Sequence, residues 1–500
     1  PSWRSTLKLD HIVPTVTSMK TPTATINRVP MTPIPSVKSL SANDDNITLN
    51  DNTINTVYGG AGSDTIKVGT NAYKGGNTID GFGVSGVENS SNSDTMDYSV
   101  LGAGQNININ LNIVDGSGFS NVTFNGGINS DKLKNIENII GSLNHENTLR
   151  GNSLDNTIIG GDKDDTLSGG AGTNYLDGRN GINTVDYSRA NNNVTVDLNK
   201  TGIQEVYLDG STTVKDTLKD IQNVIGSNNK DIIAGNSQNN SLFGGLGDDT
   251  FIGSGGDDIL NGGDGIDVVS YASATENLNI DLGVTTPVSI GTGYGTDTFI
   301  SIEGAIGGSG NDTIKGTSGS NVLIGGDGDD TLLPNGNNGI DELDFIDGGS
   351  GTDFVSFNFG GNSAVTLDLA NSGIQNTGKG RVQIVYIENV EGGAGNDRLY
   401  GNSSDNTLSG LAGDDILVGR AGNNTLDGGA DFDTADYSGV DSLNGINVNL
   451  GLSIQQVQNN GYVGKDTLIS IEKIIATKNS DFIQGSTTRT DNSTLYFELG

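Results

Sequence analysis

The sequence predicts an all-β chain, a right-handed parallel β-roll or β-solenoid of tandem modules, elongated and stapled by cations. Three observations predict it. A nine-residue unit with up to three glycines recurs in strict phase. A longer period of roughly 85 residues repeats three phrases in fixed order. The composition is poor in core-forming side chains: of 500 residues 77 are glycine, only 33% are apolar and none is cysteine.

The short period is clearest from Gly226. There the chain reads GSNNKDIIA, GNSQNNSLF, GGLGDDTFI, GSGGDDILN and GGDGIDVVS, ending at Ser270. From Gly392 it reads GGAGNDRLY, GNSSDNTLS, GLAGDDILV, GRAGNNTLD and GGADFDTAD. Other runs go from Gly151 to Asp186 and from Gly307 to Leu333, followed by a looser stretch and by GGSGTDFVS from Gly348. GGAGSDTIK, from Gly59, stands almost alone. The underlying pattern is G-G-x-G-x-D-x-U-x, with U a large aliphatic residue. Glycine tolerates positive φ, so the first six residues form a tight turn with carbonyls facing inward. Position six adds a carboxylate beside those carbonyls. Position eight points the other way and is apolar, as at Ile233, Leu242, Phe251, Leu260 and Val269, or Leu399, Leu408, Leu417 and Leu426. Each unit is thus a turn plus a short strand. Two units complete one coil, so unit n stacks on unit n+2 at a strand spacing of about 4.8 Å.

The long period divides the chain. Each block closes on a similar phrase: Asp94–Tyr98, Asn183–Tyr187, Asp267–Tyr271, Asp353–Phe357 and Asp433–Tyr437. An alternating strand follows, such as VTVDLN from Val194 or LNIDLG from Leu278. A third phrase, such as DTLKDIQNVIGS from Asp216 or DTFISIEGAIGG from Asp297, leads into the next block. The expected organisation is a Pro/Thr-rich arm or linker over 1–40 and a degenerate module over 41–98. Modules over 99–188, 189–272, 273–357 and 358–438 follow, with a partial module or cap over 439–500.

Charge narrows the partners. The formal charge is −35. Low hydrophobicity with high net charge ordinarily marks a disordered chain, so something must neutralise the carboxylates before this one packs. Such a chain repels nucleic-acid phosphates and anionic membranes, so no nucleic-acid partner is expected. Its natural partners are hard cations that prefer oxygen ligands. The start, Pro1-Ser2-Trp3-Arg4, has no apolar leader region, and no run of about 20 apolar residues would span a membrane.

The nonapeptide resembles the RTX (haemolysin-type calcium-binding) family. The modules are similar to the C-terminal β-roll of serralysin-type proteases and related type I secreted proteins. The resemblance covers roughly residues 41–485. It rests on the nonapeptides and on NTVDYS at Asn183, VTVDL at Val194 and SIEGAIGGSGNDTI at Ser301. It implies a calcium-stapled roll, type I export and folding outside the cell. The ligand positions it implies are Asp64, Asp165, Asp231, Asp249, Asp258, Asp267, Asp312, Asp330, Asp353, Asp397, Asp415 and Asp433, with Gly244, Gly262, Gly325 and Gly410. Asn stands at position six in Asn156, Asn174, Asn183, Asn240, Asn321, Asn406 and Asn424. Asn keeps an oxygen but loses the charge, so those turns should hold calcium poorly. In the last three blocks Asp and Asn alternate for much of the run, which predicts one Asp-rich, loaded edge and one Asn-rich, poorly loaded edge. About a dozen ions would cancel about two thirds of the charge.

No catalytic constellation stands out. His11 and His145 are the only histidines and no H-E-x-x-H exists, so the zinc protease that accompanies this roll in serralysins is missing. Paired carboxylates such as Asp248–Asp249 and Asp329–Asp330 recur in block after block, which favours a ligand or turn role over a glycosidase pair. The block-end aromatics, such as Tyr187 and Tyr271, read as core. The expected function is therefore non-enzymatic: an extracellular calcium-binding structural protein, a surface-layer, sheath or fibre subunit that self-assembles as a homo-oligomer. Cell-surface polysaccharide is a further expected partner. The alternative is an adhesin, or the repeat region of a larger type I secreted enzyme. Ice binding, which needs a regular outward Thr or Asn ladder, is disfavoured by the varied loop residues Ala61, Lys163, Leu246 and Asp264.

Overall fold

The computed structural model describes residues 36–49, 54–69, 75–82, 92–101, 106–124, 130–210, 212–336, 342–440, 445–449, 455–459, 464–484 and 496–498. Among these, every regular element is a strand. Residues 1–35 of the expected arm lie outside the described residues. The arm's end differs from expectation, since Ser36–Ser39 is already a strand, paired in parallel with Asn55–Gly60.

Successive strands alternate between two stacked ladders, and the register within each ladder shows why. Leu149 pairs with Leu167, Ile158 with Leu176, Leu242 with Leu260, Phe251 with Val269 and Leu408 with Leu426. The strands are parallel and the offset is two nonapeptides, so two units make one coil of a parallel β-roll. The position-eight side chains fill the space between the ladders. Ile233, Leu242, Phe251, Leu260, Val269, Leu399, Leu408, Leu417 and Leu426 are all at most 1% exposed. Full burial of such a side chain is worth about 1.5–3 kcal/mol. The looser stretch after Leu333 shows in the register, where Leu323 pairs with Ile346 rather than with a residue one regular coil away.

Module boundaries share one device. The alternating strand opens a new parallel ladder: Ile107–Asn110 pairs with Asn147–Arg150, Thr195–Asp197 with Ile232–Ala234, and Asn279–Asp281 with Thr313–Lys315. Thr366–Asp368 with Arg398–Tyr400 and Ile446–Asn449 with Phe482–Gln484 repeat it. The old ladder closes on an antiparallel hairpin, such as Gln204–Asp209 against Thr212–Lys219 or Val288–Gly291 against Gly295–Ile300. A closing hairpin covers an edge that would otherwise accept a foreign strand. The hairpin strand then turns back into the roll through one left-handed residue. Asn135, Asp220, Ser301, Tyr386 and Ser470 hold φ of 51, 53, 48, 52 and 48°. None is glycine, so each costs about 1–2 kcal/mol, which the surrounding ladder must offset.

Candidate calcium-binding turns

The glycines of one repeat show how tightly the turns stack. Gly245 and Gly247 have φ of 128 and 109°. A Cβ on either would run into the backbone of the turn one coil earlier, at Ser227 and Asn229. Gly244 is crowded differently. Its Cβ would fill the space between Asp249 Oδ2 of its own turn and the Gly262 carbonyl of the next coil. Gly226, Gly262, Gly307, Gly325, Gly392 and Gly410 repeat this, each facing its own turn's aspartate and a carbonyl from the coil above. Small residues here keep a space lined by hard oxygens open.

The position-six side chains point into that space. All the aspartates expected as ligands are at most 2% exposed. They form columns along the roll. In each step one carboxylate oxygen accepts the backbone N–H of the position-six residue one coil earlier. Asp249 takes it from Asp231 and Asp267 from Asp249, each at 2.7 Å. Asp330 and Asp353 take it from Asp312 and Asp330, and Asp415 and Asp433 from Asp397 and Asp415. Asp64 and Asp94 continue a column that starts from the N–H of Asp45. Glu137, Glu303, Glu388 and Glu472 end these columns by accepting the last N–H.

The second carboxylate oxygen separates first members from the rest. Asp231, Asp312 and Asp397 use Oδ2 to accept the position-two N–H of their own turn, from Ser227, Gly308 and Gly393 at 2.5, 2.7 and 2.5 Å. Asp64, Asp249, Asp267, Asp330, Asp353, Asp415 and Asp433 bury Oδ2 with no hydrogen-bond partner. Burial pushes the carboxyls of Asp249, Asp330 and Asp415 up to about 7, and the acids before and after them in the column push the same way. Burial likewise pushes Asp267, Asp353 and Asp433 up to about 6. A buried carboxylate without a donor is costly and calls for a cation.

The opposite edge is built from amides. Asn156, Asn240 and Asn406 donate Nδ2–H to the carbonyls of Glu137, Gln222 and Glu388, each at 2.7 Å. The amide hydrogens thus stand where the acid edge has no donor. Asp258 lies on this edge between Asn240 and Asp297, and its Oδ2 accepts the Ser254 hydroxyl at 2.9 Å. Asp165 stands in a mixed column between Asn147 and Asn183 that ends on Gln222. The amide-edge columns end on Asp131, Asp216, Asp297 and Asp466, which accept the hydroxyls of Tyr98, Tyr187, Tyr271 and Tyr437. The four block-end tyrosines are therefore core residues with a buried polar partner. The paired carboxylates divide their roles: Asp249 and Asp330 face inward, while Asp248 and Asp329 are exposed and accept the N–H of Ile266 and Thr352.

Asp94 and the terminal glutamates escaped the sequence reading. Asp94 opens the same block-end phrase as Asp267, and the glutamates recur after an Ile in the third phrase, so position alone marked them. Lys379 was unmarked. Its buried ammonium donates to the carbonyls of Phe357 and Phe359 at 2.9 and 3.1 Å and lowers the Asp397 carboxyl, against the larger upward push of burial.

The calcium that the turns imply fits these residues. No group of three or more His, Asp or Glu side chains converges among the described residues. An ion would be held by one or two carboxylates and, for the rest, by carbonyls, an all-oxygen set that suits Ca²⁺. Asp64, Asp249, Asp267, Asp330, Asp353, Asp415 and Asp433 would hold it, with glycine carbonyls such as those of Gly262 and Gly428. Bound calcium would supply charge neutralisation and cross-coil bonds. The chain's own part is to hold the oxygens in register and keep Cβ atoms out.

No curated protein matches the chain. The family model of the RTX calcium-binding nonapeptide repeat, four copies long, matches residues 50–70, 150–185, 225–260, 234–269, 306–343, 386–417 and 400–435. These matches fall on the stacked glycine turns and their position-six columns, so over these stretches the chain carries RTX calcium-binding nonapeptide repeats.

Proposed function

We propose that the chain is a non-enzymatic, extracellular structural protein, a self-assembling surface-layer, sheath or fibre subunit that folds on calcium held by its buried, partnerless carboxylates. One observation carries this reading: rows of buried, partnerless Oδ2 atoms recur in module after module, so the repeats look built to be rigid only where calcium is abundant. That condition holds outside cells and fails in a cytosol. The start of the roll supports assembly. Ser36–Ser39 and Asn46–Thr48 each end their sheet, with a neighbour on one side only among the described residues. An open edge can receive a strand from a second copy. A second reading, an adhesin or the repeat region of a larger type I secreted enzyme, is favoured by the outward groove described below. Electron microscopy and light scattering at millimolar calcium should show filaments or sheets that disperse in chelator. Monodisperse monomers at every calcium level would sink the assembly reading.

A further inference from the structure

The outer faces of the ladders carry cation–acid pairs, and one of them is unfinished. Lys67 reaches Asp97 at 3.0 Å and Lys315 reaches Asp281 at 3.1 Å, each across to the neighbouring strand. Arg150 faces Ser168 on its neighbouring strand and must reach over it to Asp186 on the next, stopping at 3.6 Å. Its Nε and Nη2 both donate to Ser168 Oγ, at 3.1 and 3.0 Å. Nη1 has no hydrogen bond among the described residues, although the side chain is only 11% exposed. A guanidinium carries five donors, so this one is largely unused. Burial lowers its pKa, the Asp186 carboxylate opposes that shift, and Arg189 adds like charge from the same groove. The groove holds two guanidiniums and two carboxylates, Asp186 and Asp209, so its own charges balance, and the Arg150 Nη1 donors are left for a ligand to meet.

The groove has a volume of about 260 Å³, and Tyr207, Asn191, Ser168, Asp186 and Asp209 also line it. Tyr207 forms a fixed wall, its hydroxyl tied to the Gly170 carbonyl at 2.8 Å. We infer that this groove binds a sugar carboxylate, a uronic acid either free or within an acidic polysaccharide. Arginine matches a carboxylate with two parallel donors. Asp186 beside it accepts hydroxyl donors, which a sugar offers and which sulfate lacks. The inference holds for a monomer as well as for an assembly, and its readout is solution binding, so it can fail without the assembly reading failing.

Isothermal titration of the calcium-loaded chain with glucuronate, glucose and inorganic sulfate tests it. Glucuronate should bind, and glucose and sulfate should not. Arg150→Gln should weaken glucuronate at least about tenfold, the scale of one lost charged hydrogen bond. Arg189→Gln, at an exposed position, gives a second variant whose fold is not in question and should weaken it by a smaller factor. A uronate tetramer binding more tightly than the monosaccharide would assign the polymer, and equal affinities the free sugar. Sulfate binding as well as glucuronate, no glucuronate binding, or both variants binding like the parent would overturn it.

Discussion

The acid edge and the amide edge share one backbone and one register, yet only one of them is complete on its own. On the amide edge each Asn brings donor and acceptor together. Asn240 accepts the Asn236 N–H and donates to the Gln222 carbonyl. On the acid edge Asp249 accepts the Asp231 N–H and has nothing to give the carbonyls beside it. Exchanging NH2 for O⁻ turns a closed hydrogen-bond network into a cation site. The roll therefore combines a metal-independent edge with a metal-dependent one, and this division, more than total charge, should govern its response to calcium.

The largest effect expected is on removing calcium. Burial pushes the carboxyls of Asp249, Asp267 and Asp330 up to about 6 to 7 in the metal-free fold, against an ordinary 3.8. An acid whose folded pKa is raised holds more protons folded than unfolded. Stability of the metal-free chain is therefore fully present below about pH 4 and is lost as pH rises through about 6 to 7. Circular dichroism in chelator should show strand content near pH 4 to 5 that collapses by about pH 7.5, and calcium should restore it at the higher pH. A chelator spectrum that is the same at both pH values would remove the metal-dependent edge from the argument.

Exchanging the edges should have an intermediate effect. Asp249→Asn, Asp330→Asn and Asp415→Asn each take away the central carboxylate of a column. Calcium bound per chain should fall, while the metal-free fold should resist chelator better than the parent. Asn406→Asp does the reverse, because it deletes the donor to the Glu388 carbonyl and buries a new charge. It should cost about 1–3 kcal/mol in chelator at neutral pH. Urea titrations with and without calcium would read both, and an Asn406→Asp chain as stable as the parent in chelator would show the amide edge to be no network at all.

The sequence exposed the two edges because phase carries their information. Position six and position eight alternate sides, and a two-unit coil sends Asp231, Asp249 and Asp267 to one edge and Asn240 and Asp258 to the other. The boundaries were less legible. Val194–Asp197 reads as an alternating strand, but its partner Ile232–Ala234 lies beyond a hairpin whose length differs at each boundary. Asp216 and Tyr187 meet over 29 residues for the same reason. Phase is lost across such insertions, and with it the means of naming partners. What survives is the recurrence of the phrases, which marks a position without saying what it touches.

The smallest effect expected concerns the end of the amide edge, where the chain holds its own natural variant. Four modules end that column on a Tyr–Asp pair, such as Tyr437 and Asp466. In the remaining one the aromatic is Phe357, and Val382 pairs with Asp344 as Asp216 pairs with Asn174. Phe357 and Val382 are both 1% exposed. Hydroxyl and carboxylate are thus missing together, as they should be if each is there to satisfy the other. Tyr437→Phe alone leaves Asp466, a buried acid held by Tyr437 and Asn424, short of one donor and should cost about 1–3 kcal/mol. Adding Asp466→Val should recover part of that loss, since removing both partners is cheaper than removing one. A double-mutant cycle in calcium, followed by urea denaturation, measures the coupling. Strictly additive single-variant costs would mean that the Phe357 and Val382 exchange is incidental and that the hydroxyl does not satisfy the acid.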